Sequence, residues 1–94
     1  MAIGLLHLHL LLPGCNSLKE KRRRLKPLLA RLRREFNVSA AEADHQDVWQ
    51  NAVILCALVS NDVGHAQRAL EKVSRWVESN WPDVSVTDDR IEML

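Results

Sequence analysis

The chain has 94 residues, 47% of them hydrophobic, with 13 Lys and Arg against 12 Asp and Glu and only two Cys. Length excludes a two-domain enzyme, apolar content excludes a disordered tail, and cysteine count excludes a disulfide-stapled scaffold. A single domain of this size buries roughly two-thirds of the surface that its unfolded chain exposes, so one self-sufficient core is expected.

Met1 to Leu12 is apolar and short, and it stops at Pro13-Gly14. No Lys or Arg precedes the apolar residues, His7 and His9 interrupt them, and the run is far below the ~20 residues that span a bilayer. A central strand is the better reading than a secretory leader. Leu6, Leu8, Leu10 and Leu12 take one face and Ile3, Leu5, His7, His9 and Leu11 the other. Cys15 and Cys56 are then expected as free thiols of a cytoplasmic protein.

Ser17-Leu18-Lys19-Glu20 reads as a capping box that opens a helix of about five turns. Its stripe is Leu18, Leu25, Leu28, Leu29, Leu32 and Phe36. Pro27 lies within it and is expected to bend it. Asn37 to Ala43 alternates weakly, as an edge strand does, and Asp44 to Asp47 forms a hairpin connection. Val48 to Ser60 is a second long apolar strand, with both faces expected to be buried. Asn61-Asp62 caps a second helix whose apolar stripe is Val63, Ala66, Leu70, Val73, Val77 and Trp81, and Pro82 ends it. Val84 to Leu94 reads as an edge strand that closes in a polar tail.

The order βαββαβ predicts an α+β, ferredoxin-like fold spanning residues 1–94. It has a four-stranded antiparallel sheet, both helices on one face and the two apolar strands in the centre. Because those central strands are apolar on both faces, a second copy of the chain is expected on the open side. Ile3, Leu5, His7 and His9 would then form the dimer face.

Charge is unevenly spread. Between Ser17 and Phe36 stand nine basic residues and two acidic ones, a balance of +7, and the net charge of +1 leaves −6 for the rest. Lys19, Arg22, Lys26 and Arg33 share one flank of the first helix, with Arg23 and Arg34 beside them. With Lys21, these residues are the candidate nucleic-acid contacts. The first strand offers Leu and His where a base-stacking sheet would carry aromatic residues, so phosphate and shape recognition is expected. There is no glycine-rich phosphate loop, nucleophile elbow or Cys-x-x-Cys, and His7 with His9 supplies only two possible metal ligands. A nonenzymatic protein with no metal, cofactor or membrane partner is therefore expected. Trp49, beside Asp47 and Gln50, is the tryptophan marked as a contact residue, whereas Trp76 and Trp81 are assigned to packing.

At Ser17-Leu18-Lys19-Glu20-Lys21-Arg22, Phe36-Asn37-Val38-Ser39, Glu42, Asp47, Trp49-Gln50 and Val59-Ser60, the chain resembles the small bacterial YlxP-like family, a domain of unknown function. The resemblance implies a ferredoxin-like fold. It also implies work near RNA or ribosome maturation, since the family's genes often lie beside those of a translation initiation factor and a ribosome-binding factor. It adds Asn37, Glu42, Asp47, Trp49 and Gln50 as partner-contact positions. The expected partner is structured RNA or a ribosomal particle that meets the basic helix. The alternative is a homodimeric module whose basic helix and open sheet face contact an acidic protein.

Overall fold

In the computed structural model, which describes residues 1–43 and 48–94, the first strand, β1 (Ala2–Leu11), sorts its side chains by parity. Leu6, Leu8 and Leu10 are fully buried, while Ile3 and Leu11 on the other face are exposed. The long apolar strand β3 (Asn51–Ser60) does the same with Ala52, Ile54, Cys56 and Leu58. The two strands pair antiparallel from Ala2↔Ser60 to Leu11↔Asn51, so their buried rows coincide. A slip of one residue would turn both rows to solvent, and this fixes the register.

Helix α1 (Leu18–Glu35) and helix α2 (Val63–Asn80) cover that buried face. Strand β2 (Ser39–Glu42) flanks β3, and β4 (Ser85–Met93) flanks β1, giving the order β2-β3-β1-β4. This is the ferredoxin-like α+β arrangement, with the two apolar strands central. α1 leans toward β2, and α2 covers β1 and β4. Leu25, Leu28, Leu32, Leu70, Val73 and Val77 from the helices meet the sheet leucines in one core.

Both helix starts are capped as the sequence predicts. The Ser17 hydroxyl accepts from the Glu20 N–H at 3.0 Å. The Glu20 carboxylate reaches past Ser17 to the Asn16 N–H at 3.3 Å. Asp62 Oδ1 accepts from the Gly64 N–H at 2.9 Å. α1 runs unbroken through Pro27, which lies on its exposed side, where the Arg23 carbonyl loses its helical donor.

Three boundaries differ from expectation. β3 starts at Asn51, because the Val48 carbonyl is claimed by the Lys21 ammonium at 2.8 Å. Val63, assigned to the α2 stripe, is 58% exposed, because the first helical residue overhangs the core. The C-terminal segment has no polar tail: β4 pairs with β1 as far as Met93↔Gly4, and the Leu94 N–H donates to the Ile3 carbonyl at 2.8 Å. Its charges are accommodated by alternation, with Asp88, Arg90 and Glu92 opposite His9, His7 and Leu5 on the open face. Thr87 is the extra residue of a bulge beside His9, and its hydroxyl donates to the His9 carbonyl at 3.2 Å. The open face is also only partly covered, since Val59 is 63% exposed.

Candidate functional site

The basic residues of α1 divide by flank. Toward α2 the charges are spent inside the molecule. Arg24 donates to Asp83 Oδ2 at 2.8 Å, to the Asp83 carbonyl at 2.6 Å and to the Pro13 carbonyl at 2.8 Å. The bond to Asp83 holds the guanidinium above its already high ordinary range. Arg31 pairs with Glu35 at 3.2 Å and lies 5.4 Å from the centre of the Trp76 ring. Trp76 in turn meets Phe36 edge-on and packs on Trp81, so both of these tryptophans are packing residues.

The outward flank is different. Lys19, Arg22, Arg23, Lys26, Arg33 and Arg34 are all exposed. Among the described residues, no carboxylate lies within ion-pair distance of Lys19, Arg22, Lys26, Arg33 or Arg34, and Arg23 has only Glu20 at 3.7 Å. From Lys19 to Arg34 the row extends roughly 22 Å along the helix axis at 1.5 Å per residue. Arg33 departs from its assignment as a free contact. Its Nε and Nη2 donate to the Ala40 carbonyl at 3.2 and 2.7 Å, so its fork closes on the short edge strand β2.

The row lies at the β2 side of the sheet, and Asp88, Asp89 and Glu92 lie on β4 at the opposite edge. The charge imbalance along the sequence is therefore an imbalance in space.

Lys21 is not a surface contact. It is 1% exposed, and its ammonium sits 2.9 Å from Glu42 Oε2 and 2.8 Å from the Val48 carbonyl. A buried ammonium needs such partners, and they bind α1 to β2 and to the segment that enters β3. The signal was present in the sequence, because Lys21, Leu25, Leu28 and Leu32 fall at i, i+4, i+7 and i+11 on one stripe. Reading by residue type alone put Lys21 with its exposed neighbours.

The same contact withdraws Glu42 from the partner-contact set, since its carboxylate faces Lys21. Gln50 is also occupied: its amide donates to the Cys15 carbonyl at 2.7 Å, and its own carbonyl accepts from the Leu12 N–H at 2.8 Å. Asn37 is exposed just beyond the end of α1. Asp47 and the predicted hairpin connection lie outside the described residues. Trp49 is 44% exposed, between the anchored Val48 and Gln50.

Ile3, Leu5, His7 and His9 share the open sheet face with Val53, Leu55, Ala57 and Val59. The His7 ring lies 3.4 Å from Glu92 Oε1 and 3.3 Å from an Arg90 nitrogen, so its polar edge turns to β4. Cys15 and Cys56 are free and buried. Burial pushes the Cys56 thiol up to about 12. Among the described residues no helix is long and apolar enough to cross a membrane.

The model of a protein family of unknown function, DUF503, matches residues 3–91. The chain belongs to this family. An uncharacterized relative, YlxP of Bacillus subtilis (strain 168), is 34% identical over 90 residues, covering 96% of this chain and 97% of the relative. The YlxP-like resemblance of the sequence is thus established, and the positions that carry it divide into two groups in space. Lys21, Glu42 and Gln50 make internal bonds, whereas Lys19, Arg22, Asn37 and Trp49 face outward. Among solved structures, the de novo designed protein Foldit4 shares the DUF503 chain's fold, with a TM-score of 0.54 at 14% identity, over 100% of this chain and 97% of that one.

Proposed function

We propose that this DUF503 domain is a nonenzymatic RNA-binding module that docks through the outward flank of α1 on structured RNA, in a ribosomal particle or its precursor. The observation that supports this reading is the division of the α1 cations. Those facing α2 are consumed by Asp83, Glu35 and backbone carbonyls, whereas of those facing outward Lys19, Arg22, Lys26 and Arg34 are left to solvent along roughly 22 Å of helix. Such a row suits a run of phosphates, whose recognition by Lys and Arg is electrostatic and salt-dependent. Recognition is of phosphate and shape at this flank, because the open sheet face presents Ile, Leu, Val and His in place of stacking aromatics.

The test is binding of labelled structured ribosomal RNA across a salt series, beside an Arg22→Glu, Arg23→Glu, Lys26→Glu variant checked for folding. Micromolar or tighter binding at physiological salt is expected. The log–log salt slope should be roughly −3 to −4 for four or five engaged cations, and the variant should lose binding. Absence of binding would overturn the RNA reading and turn the search to an acidic protein, and binding indifferent to the variant would overturn α1 as the docking surface.

A second reading concerns assembly. Ile3 and Val59 are direct cross-strand partners on the open face, 39% and 63% exposed, and Leu5↔Ala57 continues the uncharged strip. We propose that a second copy covers this strip by two-fold sheet packing, which brings the same patch of each copy together. Sedimentation at micromolar concentration should give a dimer that Val59→Asp dissociates. A monomeric wild-type protein would end this reading without touching the first.

A further inference from the structure

We propose that Trp49 is a stacking platform for an unpaired nucleotide, placed beside the phosphate-binding flank of α1. The inference rests on the RNA reading above and narrows its ligand from structured RNA in general to RNA that carries an unpaired base at the docking site.

The sequence separates Trp49 from Lys19, Lys21 and Arg22 by more than twenty residues, and the fold fastens both chain neighbours of Trp49 to the start of α1 and the segment before it. The carbonyl of Val48, one peptide from Trp49, accepts from the Lys21 ammonium at 2.8 Å. On the other side, the Gln50 amide holds the Cys15 carbonyl at 2.7 Å, and the Gln50 carbonyl holds the Leu12 N–H at 2.8 Å. Both neighbours of Trp49 are thus fastened to α1 or to the segment leading into it. Lys21 is adjacent in the helix to Arg22, and these two residues line a surface depression with Leu18 and Glu42. Lys19 and Arg22 are exposed in the same first turns of α1.

The three tryptophans also differ in use. Trp76 and Trp81 pack on one another, with centroids 6.1 Å apart, and Trp76 meets Phe36 at 5.9 Å. Trp49 is in no such ring contact among the described residues and is 44% exposed, although an indole is among the side chains that gain most from burial. A large aromatic on a pinned backbone loses little freedom when a base stacks on it, and base–aromatic stacking beside a cationic track is the usual chemistry of single-stranded nucleic acid binding. An acidic protein would match the cations but would not require a planar aromatic there.

The experiment compares two RNAs with the same number of phosphates, a hairpin with an unpaired loop and a blunt duplex, against the wild type and Trp49→Ala, Trp49→Phe and Arg22→Glu variants. Thermal melts check that each variant folds. Trp49→Ala is expected to weaken hairpin binding by roughly 5- to 100-fold while changing duplex binding less than about twofold, and Trp49→Phe should keep most of the hairpin affinity. Arg22→Glu should weaken both RNAs. If Trp49→Ala leaves the hairpin unchanged, or weakens both RNAs equally, the stacking role is overturned while the salt-dependent docking of α1 stands. If the wild type binds neither RNA, the RNA reading itself fails. Competition by polyglutamate as effective as by the hairpin would overturn the stacking role in favour of an acidic protein partner.

Discussion

Lys21 and Arg22 are consecutive residues of one basic helix with opposite fates. Lys21 is 1% exposed and bonded to Glu42 and the Val48 carbonyl, whereas Arg22 stands in solvent without a carboxylate among the described residues. The contrast extends along α1. Its inner flank uses Arg24 and Arg31 to fasten the helix to the molecule, and its outer flank presents Lys19, Arg22, Lys26 and Arg34 to whatever lies outside. A cation's role is therefore set by its helical phase, because 100° of rotation decides whether it meets buried carbonyls and carboxylates or water.

That division can be broken by substitution, and the largest effect is expected on the inner side. Lys21→Ala should lower unfolding free energy by about 3 kcal/mol, since it leaves the Glu42 carboxylate without its ammonium in a mostly buried position. Urea denaturation would measure this, and adding Glu42→Gln should restore part of the loss. A loss below about 1 kcal/mol would mean that Lys21 is not a structural cation.

A second buried ionisable group, Cys56, sharpens the point, because burial alone acts on it. A thiol held at about 12 in the folded state against an ordinary 9.0 favours folding fully below pH 9 and loses that advantage as pH climbs toward 12. The stability difference between the wild type and Cys56→Ala should shift against the wild type by on the order of 2 kcal/mol between pH 8 and 10.5. A pH-independent difference would show that the thiol ionises without penalty.

Arg24→Ala should cost about 1–2 kcal/mol through its bonds to Asp83 and Pro13, with RNA affinity changed less than about threefold. The smallest stability effect belongs to the outer flank. Arg22→Glu with Lys26→Glu should alter stability by less than about 0.5 kcal/mol, yet weaken RNA binding more than tenfold. Equal stability losses from the Arg24 and Arg22 substitutions would dissolve the distinction between the flanks.

The legibility of these features follows the range of the interaction behind each. The capping residues Ser17 and Asp62, the leucine rows of β1 and the stripe of α2 from Ala66 to Val77 depend on neighbours a few residues away, and the sequence predicts them. The dual use of β4 was less legible. Asp88, Arg90 and Glu92 read as a polar tail until their pairing with β1 places them together on the open face. The candidate site was legible in part, since the basic row and Trp49 could each be picked out by residue type. The internal bonds of Lys21, Glu42, Arg33 and Gln50 are not legible in the sequence, because their partners stand at Val48, at Lys21, at Ala40 and at Cys15 or Leu12, and no local pattern connects them.

By itself the sequence determined the order of elements, the two central strands, the helix starts and the excess of positive charge on α1. These follow from the periodicity of apolar side chains, the hydrogen-bond needs of helix ends and simple charge counting. Only the tertiary structure decided which cations are structural and which are free, and that the residues flanking Trp49 are fastened to Lys21 of α1 and to Cys15 before it, because those outcomes depend on contacts closed between segments distant in the chain.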